Sequence, residues 1–166
     1  DVVEMLDKYM VDITATQKNM DWLSNEYETQ TRTTGVVIGN TGKEILILTD
    51  YSGIKKADAL EITLYTGKSF PVQLKQYHTA ADMAVLSLNV NTLGSSSKDI
   101  YVASFGSSSI QSLICTPVIA MGSPMGERGS VGYGMITSES GQMTMVDANY
   151  KVLLTDIYGS QSASGF

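Results

Sequence analysis

Apolar and polar residues alternate with a period of two along most of this chain, and the exceptions mark its joints. Val2, Val3, Leu6, Tyr9 and Met10 have helical spacing and predict a short helix passing into a strand at about Val11–Thr16. Gln17 to Glu28 is polar and reads as a loop or hairpin tip, with Trp22 and Tyr27 expected to pack locally. Gly35-Val36-Val37-Ile38 is a β run ended by the turn signal Asn40-Thr41-Gly42. Glu44 to Thr49 has an unbroken apolar middle, predicting a strand buried on both faces. Leu60, Ile62 and Leu64 alternate with polar partners, as do Phe70, Val72 and Leu74, with Pro71 marking an edge or a strand start. Ala81 to Leu88 is a further strand with Asp82 at its mouth. Antiparallel strands in this number, joined by short turns, are enough to close a small barrel.

Asn89 to Asp99, with Gly94-Ser95-Ser96-Ser97, is flexible by composition and predicts a boundary between an N-terminal barrel at residues 1–98 and a C-terminal one at residues 99–166. In the second part Val102–Phe105 is a short strand candidate and Thr116–Gly122 an apolar one. Gly129–Ser138 reads as a strand bent by glycine, and Gln142–Val146 with Tyr150–Thr155 as a hairpin. The fold class predicted is all-β.

Composition narrows the partners. A net charge of -6 and a sequence pI near 4.6 argue against a nucleic-acid partner, which requires a basic surface, and match an anionic membrane poorly. Cys115 is the single cysteine, so no internal disulfide can form; its apolar setting predicts a buried thiol. With one histidine, His78, and one cysteine, no standard zinc site is expected, and no cofactor is implied. The nine methionines lie mostly within strand-like runs and are expected to fill the core. No apolar run reaches the length of a transmembrane helix, and no signal peptide is visible at Asp1.

The closing stretch carries the candidate chemistry. Leu153 to Ile157 gives way to small residues and then to Ser164-Gly165. A serine at such a turn can serve as a nucleophile beside free backbone N–H groups, provided that a base oriented by a carboxylate lies within reach.

An Asp opening a strand late in the first β unit, followed by a Ser-Gly late in the second, resembles the order of the trypsin-like serine proteases. The wording is most similar to the HtrA/DegP branch. Gly35-Val36-Val37-Ile38 resembles that branch's Gly-Val-Ile-Ile. Leu60 to Leu74 is similar to its strand–turn–strand after the histidine. Ala81-Asp82-Met83-Ala84-Val85-Leu86 resembles Thr-Asp-Leu-Ala-Val-Leu, and Ile119 to Gly126 resembles Ala-Ile-Gly-Asn-Pro-Phe-Gly. Thr155-Asp156 is similar to the Thr-Asp before the nucleophile motif. The resemblance runs from about Thr34 to the end of the chain. It implies a trypsin-like pair of six-stranded barrels, with Asp82 at the triad aspartate position and Ser164 at the nucleophile position. It also implies an extracytoplasmic setting. A complete domain of that kind continues for further strands after the nucleophile, so the second barrel is expected to be incomplete at Phe166, and its open edge is suited to a partner or to self-association.

Two motifs depart from the pattern. Leu48-Thr49-Asp50-Tyr51-Ser52-Gly53-Ile54 stands where the branch has Val-Thr-Asn-Asn-His-Val-Val, which puts Ser52 at the histidine position. Ser162-Ala163-Ser164-Gly165-Phe166 replaces Gly-Asn-Ser-Gly-Gly, so Ser162 stands where a glycine would help form the oxyanion hole together with Ser164. These losses imply a pseudoprotease that binds peptides or proteins without cutting them. The alternative is an active endopeptidase using Ser164 and Asp82 with an unorthodox base such as His78. A third reading, an unrelated all-β binding domain, has the ordered series of motifs against it.

Overall fold

The structure is a computed structural model that describes residues 2–107, 112–122, 130–144 and 149–157. A helix, α1 (Val2–Asp7), leads into β1 (Met10–Met20), which pairs along its whole length with β2 (Glu26–Asn40). β3 (Glu44–Asp50), β4 (Ala59–Thr63), β5 (Ser69–His78) and β6 (Met83–Asn89) follow. The six strands close into an antiparallel barrel in the order β1-β2-β3-β6-β5-β4, the last pairing back to β1 from Thr16↔Ala59 to Asp12↔Thr63.

Alternation decides what fills the barrel. Val11, Ile13, Ile45, Ile47, Ile62, Leu86 and Leu88 point inward and are at most 1% exposed. β3 corrects the expectation of two buried faces: Ile45, Ile47 and Thr49 are buried, whereas Leu46 and Leu48 are only half-buried on the outer face. Pro71 lies where β5 pairs with β4 alone, because pairing with β6 begins at Gln73; a missing N–H is tolerated there. Gly35 marks the tightest point of the core. A Cβ added there would lie 2.7 Å from Ile47 Cγ2 and 2.8 Å from Ile13 Cδ1. Gly35→Ala is therefore expected to destabilise the barrel by about 1–2 kcal/mol through overpacking, read as a lower denaturant midpoint. An unchanged midpoint would show that the two isoleucines have room to move.

The segment expected to be flexible is built. It forms α2 (Val90–Leu93) and a 3₁₀ helix (Gly94–Asp99). Asn89 caps α2 through its side chain, and Leu93 and Ser96 are each 3% exposed. Lys68 donates to Ser96 Oγ at 2.9 Å and lies 3.7 Å from Asp99. Val102–Phe105 is not a strand; Ala103 N makes a bond to Val37 O at 2.8 Å that ties this passage to the barrel, and Phe105 is exposed. Tyr101 meets Tyr9 and Tyr65 edge-on, and burial, with added repulsion from Tyr101 and Asp99, pushes the Tyr65 phenol above its ordinary pKa.

β7 (Pro117–Gly122), β8 (Ser130–Thr144) and β9 (Asn149–Thr155) form a separate three-stranded antiparallel sheet in that order. The glycine-rich strand and the first arm of the expected hairpin are one strand, β8, whose register shifts between Ile136 and Ser138 and again before Gly141. Cys115 is exposed at φ 65°, contrary to the buried thiol expected, because it sits in the turn before β7 rather than inside a strand. Met5, Met20, Met83, Met135 and Met143 are likewise exposed, so core filling does not describe them.

Candidate active site

The mouth of the barrel brings together two carboxylates and a serine. β3 ends at Asp50, and the turn after it carries Tyr51, Ser52 and Gly53. Asp82 precedes β6, the strand paired with β3, so the ladder itself sets the two segments side by side. Asp82 takes a left-handed backbone conformation, φ 49°, which Asp tolerates better than most residues. In this conformation its carbonyl accepts from Tyr51 N at 3.1 Å while its side chain faces the turn. Oδ1 accepts from Ser52 N at 2.6 Å and Oδ2 from Ser52 Oγ at 2.7 Å. One residue thus engages both oxygens of the Asp82 carboxylate.

Asp50 buttresses the same turn from below. Its Oδ1 accepts from the buried Thr33 hydroxyl at 2.5 Å, and its Oδ2 accepts from Gly53 N at 2.8 Å. Ser52 Oγ lies 3.5 Å from that Oδ2, against 2.7 Å for Asp82, so the hydroxyl proton is directed to Asp82. Gly53 makes this possible, since a Cβ there would stand 2.5 Å from Asp50 Oδ2. Thr33, Asp50 and Gly53 escaped the sequence reading. The available signal was Asp50 itself, an acid where the resembling motif has asparagine.

Chemically, the arrangement holds a turn, and Ser52 brings a hydroxyl rather than an imidazole to Asp82. A serine hydroxyl does not accept a proton near neutral pH. His78 ends β5, pairs with Met83 and is exposed. Its Nδ1 accepts from Ala81 N at 3.0 Å, which leaves Nε2 to carry the proton of the neutral ring. His78 helps line a cavity of about 180 Å³ with Leu48, Tyr77 and Met83. Tyr77 stacks on Tyr51, with ring centroids 4.4 Å apart and planes 6° from parallel, which pins the residue before Ser52. The structure therefore brings Ser52 and Asp82 into direct contact. Ser164 and Ser162 lie outside the described residues.

Residues 33–165 match the family model for the trypsin-like peptidase domain. The chain belongs to the trypsin-like peptidase family. Among curated proteins it is 34% identical over 105 residues to the serine protease Do-like HtrB of Bacillus subtilis (strain 168), a match covering 62% of this chain and 21% of that protein. It is 29% identical over 117 residues to the serine protease Do-like HtrA of Lactococcus lactis subsp. cremoris (strain MG1363), covering 69% of this chain and 27% of that one. The chain thus spans about a quarter of the length of these relatives. In fold it resembles the HtrA-type protease AlgW solved with a decapeptide, at a TM-score of 0.76 and 18% identity, over 98% of this chain and 52% of that one. A variant of AlgW, also with the decapeptide, gives 0.74. The domain is similar to HtrA-type proteases in sequence and fold, with a closed first barrel and a partial second sheet.

Proposed function

We propose that this HtrA-type domain no longer hydrolyses peptide bonds and acts by binding peptides or proteins as a pseudoprotease. The observation that carries the reading is the clamp of Ser52 on Asp82. Where the family pattern has the histidine that would take a proton, this chain has a hydroxyl that donates to the carboxylate at 2.7 Å. Without a base, Ser164 stays an ordinary alcohol, and loss of one triad member generally lowers the rate by several orders of magnitude. Ser162 in place of the oxyanion-loop glycine weakens the second half of the machinery. AlgW, solved with a decapeptide, supports a peptide as the class of ligand. An extracytoplasmic setting is part of the same proposal.

Fluorophosphonate labelling separates this reading from an active hydrolase that uses Ser164 and Asp82 with His78 as base. We expect no labelling over hours at neutral pH, judged by intact mass. Stoichiometric modification of Ser164, abolished in His78→Gln, would establish the active alternative and overturn the proposal.

A further inference from the structure

β5 and β6 are joined by four residues, Thr79 to Asp82, closed at their base by the pair His78↔Met83. The loop ends on Asp82 at φ 49°, so whatever fixes the loop also fixes the carboxylate that grips Ser52. Two bonds hold it from within. Asp82 N donates to Thr79 O at 3.3 Å, a long contact. Ala81 N donates to His78 Nδ1 at 3.0 Å. The shorter of the two depends on an imidazole nitrogen with a free lone pair, and only the neutral ring has one.

His78 is exposed, and histidine is the side chain that changes charge between about pH 5 and 8. In the imidazolium both nitrogens carry hydrogen, so Nδ1–H would point at Ala81 N–H across 3.0 Å. A flip of the ring does not help, because it puts a carbon where Nδ1 was. The neighbours do not hold the charged ring in place. The cavity beside it is walled by Leu48 of β3, by Gln76 and Tyr77 of β5, and by Met83, Ala84 and Val85 of β6. Tyr77 is the one titratable group among these six. The carboxylates of neighbouring segments are those of Asp82 in the loop and of Asp50, which faces Met83 across the β3–β6 ladder. Asp82 is turned to Ser52, and Asp50 to Thr33 and Gly53. Among the described residues His78 forms no ion pair with either.

We propose that His78 is a proton-operated latch on the candidate site: its neutral ring holds the Thr79–Asp82 loop closed so that Asp82 grips Ser52, and a second ring proton opens the loop and loosens that grip. The sign follows from the lone pair. The grip is complete on the alkaline side of the histidine's titration and is lost as pH falls through it. The latch works on the loop whether or not the domain cuts peptides. For a domain that acts by binding, the site then loosens in mild acid.

His78 is the single histidine, so its ring nitrogens are read directly by NMR of the nitrogen-15-labelled chain. At about pH 8 we expect the tautomer with its hydrogen on Nε2. From there to about pH 5.5, above the range in which carboxylates ordinarily titrate, the backbone amides of Ala81 and Ser52 should shift with the same midpoint as the ring. Ala81 N–H should also lose protection against solvent exchange by about threefold to tenfold beyond the intrinsic effect of pH. His78→Asn puts an amide oxygen near the place of Nδ1 and does not titrate, so both amides should hold still throughout. His78→Ala has no acceptor and should show the loosened loop at every pH. The latch is overturned if the ring at about pH 8 carries its hydrogen on Nδ1, or if the ring takes its second proton without moving the Ser52 amide. It is overturned equally if Ser52 titrates in His78→Asn as it does in the unaltered chain.

Discussion

Asp82→Ala is expected to destabilise the domain by about 2–3 kcal/mol. The substitution removes the acceptor for both Ser52 N and Ser52 Oγ, and hydrogen bonds to a charged group contribute about 1.5–3 kcal/mol each when well shielded. Ser52 is exposed, so solvent screening lowers each bond to about 0.5–1 kcal/mol. Alanine at φ 49° adds about 1 kcal/mol of backbone strain. For a chain of this size the loss reads as a fall in Tm of roughly 5–10 °C. Asp82→Asn tolerates the left-handed backbone and keeps one acceptor oxygen, so it should fall between wild type and alanine. Ser52→Ala removes only the hydroxyl bond and should cost about 1 kcal/mol. The double variant should be less destabilised than the sum of the two singles, because the clamp is broken once. Stability indifferent to Asp82→Ala would show that the turn is held by Asp50 and the Tyr51–Tyr77 stack without help from Asp82.

Ser52→His, the substitution that rewrites the family pattern, is expected to leave fluorophosphonate labelling of Ser164 below about one hundredth of that of an intact relative assayed alongside. The histidine supplies a base, and Asp82 is placed to accept from it, but Ser162 still replaces the glycine of the family pattern, and one lost oxyanion donor typically costs about 10²–10³ in rate. Ser52→His with Ser162→Gly should exceed either single change by more than the product of their separate effects, because residues of one catalytic unit are strongly non-additive. Labelling equal to that of the relative from Ser52→His alone would locate the whole loss of function at residue 52 and clear Ser162 of any part in it.

The barrel was legible because its strands alternate: Ile62 and Val72 point inward as their spacing predicts. Where the reading failed, a residue's setting depended on contacts that periodicity does not carry. Leu46 and Leu48 sit in an apolar run, yet the pleat sends them outward and the wall leaves them only half covered. Trp22 lies at a hairpin tip beyond the pairing with β4 and is 90% exposed, with no layer of the described residues covering it. Ser96 belongs to a stretch that looks like a linker, but Lys68 reaches it from another turn. At the site, Ser52 and Asp82 were legible as a pair through the family pattern, whereas the clamp of the Ser52 backbone and hydroxyl on one carboxylate was not. The support from Thr33 through Asp50 depends on a sheet register that the sequence does not spell out.

The left-handed Asp82 has a consequence for reading protease-like sequences in general. Active members are often sorted from inactive ones by counting which triad residues survive, as though each survivor testified to catalysis. In this barrel the aspartate has a structural employment: its carboxylate fastens the turn after β3 through the backbone and hydroxyl of Ser52, with no histidine involved. Its survival is evidence about folding, and a scoring scheme that weighs it as a third of an active site would overrate every domain built this way.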